Sequence, residues 1–171
     1  MKIASILENQ KIEKRIAITP EIAKKYISLG FEVSLSKNYG GHLGIKDEEY
    51  KELGVSISNN EKEIIVNADI IVQLSLLSDD KNSLLKENQT FIGGLNPYDN
   101  KDKINDLAKK NINTFSLELL PIITKAQSID ILSSQANLAR YTPVVHSFAH
   151  LQKNYLQSSP IKHTTHLHAC I

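Results

Sequence analysis

Only two of the 20 basic side chains are arginines, Arg15 and Arg140, and a guanidinium is the usual choice for a bidentate contact to an anion. Arg15 lies in the segment ENQKIEKRIAITP, Glu8 to Pro20, between an apolar run and a helix start. Beside the free N–H groups of a helix N-terminus it could hold a carboxylate or a phosphate. The plainer reading, which spacing alone favours, is a surface loop of mixed charge. A second concentration of polar groups runs from Glu118 to Tyr141, ELLPIITKAQSIDILSSQANLARY. There Thr124, Lys125, Gln127, Ser128, Asp130 and Ser133 follow the last of a series of strand-like runs. Ligands of parallel sheets sit beyond the carboxyl ends of the strands, so this stretch is well placed to touch one. Ser128 with Asp130 also makes an ordinary helix start, which accounts for those two residues but not for the amides and hydroxyls behind them.

Other chemistry-bearing patterns lead to exclusions. Gly40-Gly41-His42-Leu43-Gly44 and Gly93-Gly94 follow strand-like runs, yet spell neither GxGxxG nor the GxxxxGK[ST] phosphate loop. They read as turns in which glycine supplies a positive φ. His146 and His150 stand at i, i+4 on one helical face, without the glutamate of HExxH or an evident third ligand. His163, His166, His168 and Cys170 are dense, but no second Cys/His cluster supports them, and they read as a polar tail. No metal is expected.

The elements that must position these groups alternate. Ile3–Leu7 reads as a strand; Thr19-Pro20-Glu21 opens a helix with a hydroxyl cap, a first-turn proline and an acid, and Gly30 stops it. Phe31–Leu35, Val55–Ile57, Ile70–Leu74, Thr90–Ile92 and Asn113–Leu117 read as further strands. Helices are expected over Asp47–Leu53, Glu61–Asn67, Asp79–Lys86 and Asp99–Asn111. Such alternation implies right-handed crossovers and a mostly parallel sheet flanked by helices. The expected fold is therefore α/β and flavodoxin-like over residues 1–127. A long helix follows over 128–150, interrupted at Pro143, and then the tail 151–171.

Composition narrows the function. Hydrophobic residues make up 41% and charged residues 23%, as in an ordinary folded domain. Twenty basic against nineteen acidic residues leave a formal charge of +1, which gives a nucleic-acid partner no electrostatic support. Cys170 is alone, which excludes an internal disulfide and fits a reducing compartment. No apolar run has the length a bilayer crossing needs, and the N-terminus reaches Glu8 too soon for a signal peptide.

KAQSIDILSSQANLARY resembles the signature of the alpha subunit of proton-translocating NAD(P) transhydrogenase, whose pattern there is close to PRISRAQSMDxLSSQANxAGY. EKRIAITPE, LGFEV, the glycine-rich loop before Asp47 and ADIIVQL fall in matching order. The likeness covers about residues 1–150; the 127–137 stretch is specific, and the rest is shared with the related alanine dehydrogenases. Those dehydrogenases use a lysine after the ADII-type strand and a histidine after the next. Here Gln73 and Ser75 stand near the first position and Asn96 near the second, so the acid–base groups such an enzyme needs are missing. A transhydrogenase passes hydride directly between two nicotinamides, and proximity and orientation carry that chemistry.

The resemblance implies an NAD(H)-binding domain of two α/β lobes, with NAD(H) in the cleft between them and NADP(H) on a partner domain. Gln127 and Asp130 match a glutamine and an aspartate that sit around the nicotinamide, and Ser133 matches a serine near the ring. Lys125 stands where the family has an arginine, keeping the charge without the planar fork. Ile122 replaces a second arginine of that loop, and Arg140 replaces the glycine before Tyr141. The family's GxGxxG lobe is absent from the 171 residues, so the chain is expected to be a first lobe, truncated before the nucleotide-binding lobe and inactive by itself. The resemblance further implies other transhydrogenase subunits as partners, a homodimer, and a cytoplasmic location at the inner membrane, reached only through the partner subunit. Two alternatives stand beside it. One is an alanine dehydrogenase-like lobe. The other is a non-enzymatic module that binds a carboxylate or nucleotide through Arg15 and the Gln127–Asp130 loop, or pairs with a copy of itself through its long helix.

Overall fold

The computed structural model describes residues 1–120 and Thr142. The chain divides after Pro121, and the architecture below is that of the first unit. The expected long helix and the tail, with His146, His150, His163, His166, His168 and Cys170, lie outside the described residues.

Among the described residues six strands form one parallel sheet in the order β3-β2-β1-β4-β5-β6. They are β1 Lys2–Ser5, β2 Glu32–Ser36, β3 Ser56–Ser58, β4 Ile70–Gln73, β5 Thr90–Gly93 and β6 Asn113–Ser116. The helices are α1 Pro20–Ser28, α2 Asp47–Glu52, α3 Glu61–Asn67, α4 Asp79–Asn82 and α5 Lys101–Lys109, with short 3-10 turns at Gly41–Leu43 and Leu117–Leu119. The α/β class read from the alternation is present. Its strand order is that of the six-stranded doubly wound sheet rather than the five-stranded flavodoxin order.

The side-chain period of two sends neighbouring β1 residues to opposite faces. Ile3 joins a core with Val33, Leu35, Tyr39 and Tyr50 and with Ala23 of α1, whereas Ala4 joins one with Ile71, Phe91, Leu107 of α5 and Ile64 and Ile65 of α3. The two cores meet the sheet from its two sides, and the strand order reverses between β1 and β4.

Local chemistry sets the helix ends. Thr19 Oγ1 accepts the Ile22 amide at 3.4 Å and Pro20 is the first helical residue of α1. Gly30, at φ +85°, adopts the left-handed turn that ends it. Asn60 Oδ1 accepts the Glu63 amide at the start of α3. The expected helix from Asp79 to Lys86 stops at Asn82. The Asn82 carbonyl accepts the Leu85 amide at 3.3 Å, the Lys86 amide turns to Gln89 Oε1 at 2.7 Å, and Lys110 Nζ donates to the carbonyls of Asn82 and Ser83 at 3.2 and 3.3 Å, so the groups that another helical turn would have paired are satisfied otherwise. Among the described residues no helix is long and apolar enough to cross a membrane.

Candidate functional site

The pairing of β1 with β4 ends at Ala4 and Ile71. Beyond it lies the switch point, where open α/β sheets bind ligands. Here side chains of the protein fill that space. Gln73 Oε1 accepts from Ser5 Oγ at 2.7 Å and from the Ile6 amide at 2.9 Å, stitching the two strand ends together. Leu7 N donates to Ser36 Oγ at 2.8 Å, which fixes the chain against the end of β2.

That path delivers Glu8, which is only 7% exposed. Its Oε1 accepts the amides of Leu74 at 2.6 Å and Ser75 at 3.4 Å and the Gln73 Nε2 at 3.2 Å, while its Oε2 accepts the Ser75 hydroxyl. On the other side of Ser5, the Tyr39 hydroxyl lies 2.7 Å from Ser5 Oγ and accepts the amides of Ala17 and Ile18 at 3.0 and 3.1 Å. Tyr50 donates to the Ile18 carbonyl at 2.9 Å and meets the Tyr39 ring edge-on, centroids 6.1 Å apart. Burial pushes the Tyr39 hydroxyl above its ordinary value, and burial does the same to Tyr50.

The end of β5 repeats the arrangement. Glu118, from the 3-10 turn after β6, accepts the amides of Leu95 at 3.3 Å and Asn96 at 2.9 Å and the Ser116 hydroxyl at 2.5 Å. Burial pushes its carboxyl up, but the Ser116 hydroxyl and the Asn96 amide outweigh it and hold the group below the usual range. Asn96 Nδ2 donates to Asp99 at 2.6 Å.

The sequence pattern makes Gly93 and Gly94 turn residues with positive φ. The structure gives them another role, because neither adopts one. A Cβ on Gly94 would lie 2.5 Å from the Leu74 carbonyl oxygen, and one on Gly93 would collide with that of Gln73. The two glycines are there for the close approach of β5 to β4 at the site. In the other glycine-rich turn, Gly44 does take φ +82°. His42 Nε2 donates to the Lys14 carbonyl at 2.7 Å and its Nδ1 lies 3.2 Å from Gln10 Nε2, so this turn anchors the loop that carries Arg15.

Arg15 makes a bidentate carboxylate contact, with its own neighbour. Its Nε and Nη2 donate to Glu13 Oε1 and Oε2 at 2.8 and 2.7 Å, and its amide donates to Oε1 at 2.9 Å. The Arg15 hydrogen bond holds Glu13 below its ordinary range; the Glu13 hydrogen bond, with a smaller contribution from the charge of Glu8, raises Arg15. The Arg15 side chain is 49% exposed. Lys125, Gln127, Asp130 and Ser133 lie outside the described residues. Among the described residues no group of three or more His, Cys, Asp or Glu side chains converges as a metal site.

Chemically, the ends of β4 and β5 offer no idle proton donor or acceptor at the positions the sequence marks. Gln73 is bound by Ser5, Ile6 and Glu8, Ser75 by Glu8, and Asn96 by Asp99. Sequence reasoning makes Glu8 the start of a mixed-charge loop and Glu118 the start of a polar stretch, and gives neither carboxylate a role. The one available signal is a carboxylate set directly after an apolar strand run, which is weak without knowledge of the facing strand.

Residues 6–139 match the family model described as alanine dehydrogenase/PNT, N-terminal domain. Over 159 residues the chain is 43% identical to the first portion of the NAD(P) transhydrogenase alpha subunit of Rickettsia prowazekii, covering 91% of this chain and 42% of that protein. It is 36% identical over 150 residues to the protein of the same name from Rhodospirillum rubrum, covering 85% of this chain and 39% of that one. It thus spans about two fifths of the length of these curated relatives. Among solved structures, the transhydrogenase from Sinorhizobium meliloti superimposes with a TM-score of 0.78 at 34% identity, over 88% of this chain and 45% of that one. An L-alanine dehydrogenase shares the fold, with a TM-score of 0.65 at 17% identity, over 69% of this chain and 32% of that one. Sequence and fold agree, and the chain belongs to the alanine dehydrogenase/PNT family, corresponding to its N-terminal domain.

Proposed function

We propose that this chain supplies one lobe of the NAD(H)-binding part of a proton-translocating NAD(P) transhydrogenase, and that it does not transfer hydride by itself. The observation that carries the reading is the state of Gln73, Ser75 and Asn96. An amino-acid dehydrogenase needs a proton donor and acceptor at its reacting carbon; these three side chains are an amide, a hydroxyl and an amide, each already engaged. Direct hydride transfer between two nicotinamides needs only placement.

A dinucleotide's pyrophosphate does not fit this sheet. At the switch point the amides of Leu74 and Ser75 are held by Glu8, and no glycine-rich fingerprint opens α1. The phosphates belong to a second lobe, and this lobe contributes contacts at the nicotinamide end. Gln127, Asp130, Ser133 and Lys125 are the residues assigned to that role, with Arg15 as a subsidiary anion contact. NADP(H) sits on a partner domain; the other subunits carry the membrane attachment, and the lobe works at the cytoplasmic face, in a homodimer.

The test combines this chain with the nucleotide-binding lobe and NADP(H)-binding subunit of a transhydrogenase relative, and follows hydride transfer from NADH to an NADP analogue. Transfer that needs all components supports the reading. A second reading, an alanine dehydrogenase-like lobe, draws on the carboxylate-shaped fork of Arg15. Calorimetric binding of pyruvate by the chain, with no restored hydride transfer, would favour it instead.

A further inference from the structure

We propose that Glu8 decides what the β1–β4 switch point accepts: its side-chain carboxylate occupies an anion site built into the lobe, and its removal opens that site to a small monocarboxylate such as formate or acetate. The inference goes beyond the transhydrogenase reading and stands on the geometry at the carboxyl ends of these two central strands alone.

Four donors converge on one carboxyl group. Leu74 N and Ser75 N are consecutive backbone amides at the end of β4, the kind of pair that makes an anion-binding concavity. Gln73 Nε2 adds a third donor and the Ser75 hydroxyl a fourth. The donors of Gln73 and Leu74 are fixed independently of Glu8. Gln73 is held from behind by Ser5 Oγ and the Ile6 amide, which meet its Oε1. Ser5 is in turn held by Tyr39. The backbone of Gln73 and Leu74 is pressed by Gly93 and Gly94, where no side chain could stand.

Glu8 itself follows the end of β1 in irregular chain rather than in a helix or strand. The acceptor is therefore the replaceable member of the arrangement and the donors are the built one. The ligand class follows from the site: one carboxyl group satisfies the donors, and deleting the Glu8 side chain leaves room for a carboxylate with little attached to it.

The experiment compares melting temperatures of the 171-residue chain and its Glu8→Ala and Glu8→Gln variants in sodium formate and in sodium chloride at equal ionic strength. Glu8→Ala melts below the parent, and at roughly tenfold excess over its Kd formate raises the variant's melting temperature by about 3–6 °C above the chloride control. The parent and Glu8→Gln, whose side chains still fill the site, respond alike to the two salts. If Glu8→Ala does not fold in buffer, the same comparison is read as refolding yield: formate but not chloride restores it. Equal effects of the two salts on Glu8→Ala in either readout, or a formate response as large in the parent, overturns the proposal.

Discussion

Ser5 Oγ donates to Gln73 Oε1 at 2.7 Å, joining the ends of β1 and β4 where the strand order of the sheet reverses. The Ile6 amide shares that acceptor at 2.9 Å. In a doubly wound sheet this is where the strands part to admit a ligand; here an amide side chain closes the gap. Gln73→Ala leaves the Ile6 amide and the Ser5 hydroxyl without their acceptor in a buried place. The expected loss is about 1–3 kcal/mol, measured by urea denaturation. A change within experimental error would mean that the closure contributes nothing to the fold.

The Tyr39 hydroxyl makes a parallel case. It accepts two consecutive amides, Ala17 and Ile18, and bonds to Ser5. Tyr39→Phe keeps the ring against Tyr50 but strands both amides, and should destabilise by about 1–3 kcal/mol. Tyr26→Phe, on the partly buried side chain of α1, serves as the control and should cost far less.

Much of this fold is legible in the sequence. The helix Glu61–Asn67 has the boundaries expected of it, and Thr19-Pro20 marks the start of α1 because cap and proline act within one turn. What stays hidden depends on partners far along the chain. Glu8 meets Ser75 across 67 residues and Gln73 meets Ser5 across 68, so nothing local distinguishes them from loop polar groups. The Asn82 and Ser83 carbonyls at the end of α4 meet Lys110, and Gly93-Gly94 serve the carbonyls of a neighbouring strand rather than a turn. For the site, the sequence locates Arg15 and the departures at Gln73, Ser75 and Asn96, but not the carboxylates that bind the amides there.

Gly94→Ala tests the close approach of β5 to β4 at that glycine pair. A turn glycine at negative φ would tolerate alanine; here the new methyl would face the Leu74 carbonyl oxygen at 2.5 Å, and backbone cannot turn aside as a side chain can. The expected loss is about 1–3 kcal/mol, measured by thermal or urea unfolding, and a neutral result would show that the approach of β5 to β4 does not require glycine.

Stability should form a plateau against pH with a limb at each side. Glu118 and Glu13 titrate below their ordinary 4.5 in the folded protein, so the stabilisation they give is present above that value and is lost as pH falls through the folded values. Tyr39 titrates above its ordinary 10.0, as does Tyr50; their contribution is present below 10 and is lost as pH rises through the folded values. Glu118→Gln should shallow the acid limb and Tyr39→Phe part of the alkaline limb in a series of urea titrations across pH.

Arg15 should matter little to stability. Its pair with Glu13 leaves the guanidinium about half exposed, and such pairs are worth at most about 1 kcal/mol. Arg15→Ala is expected to unfold within about 1 kcal/mol of the parent by the same titration. A larger loss would show that the fork holds the β1–α1 loop in place.

With the β4 amides of its own switch point already taken by Glu8, this lobe should be unable to hold a dinucleotide unaided. Calorimetric titration of the 171-residue chain with NADH decides the matter. No saturable binding is expected up to about 1 mM ligand. A dissociation constant in the micromolar range, with one NADH bound per chain, would refute it.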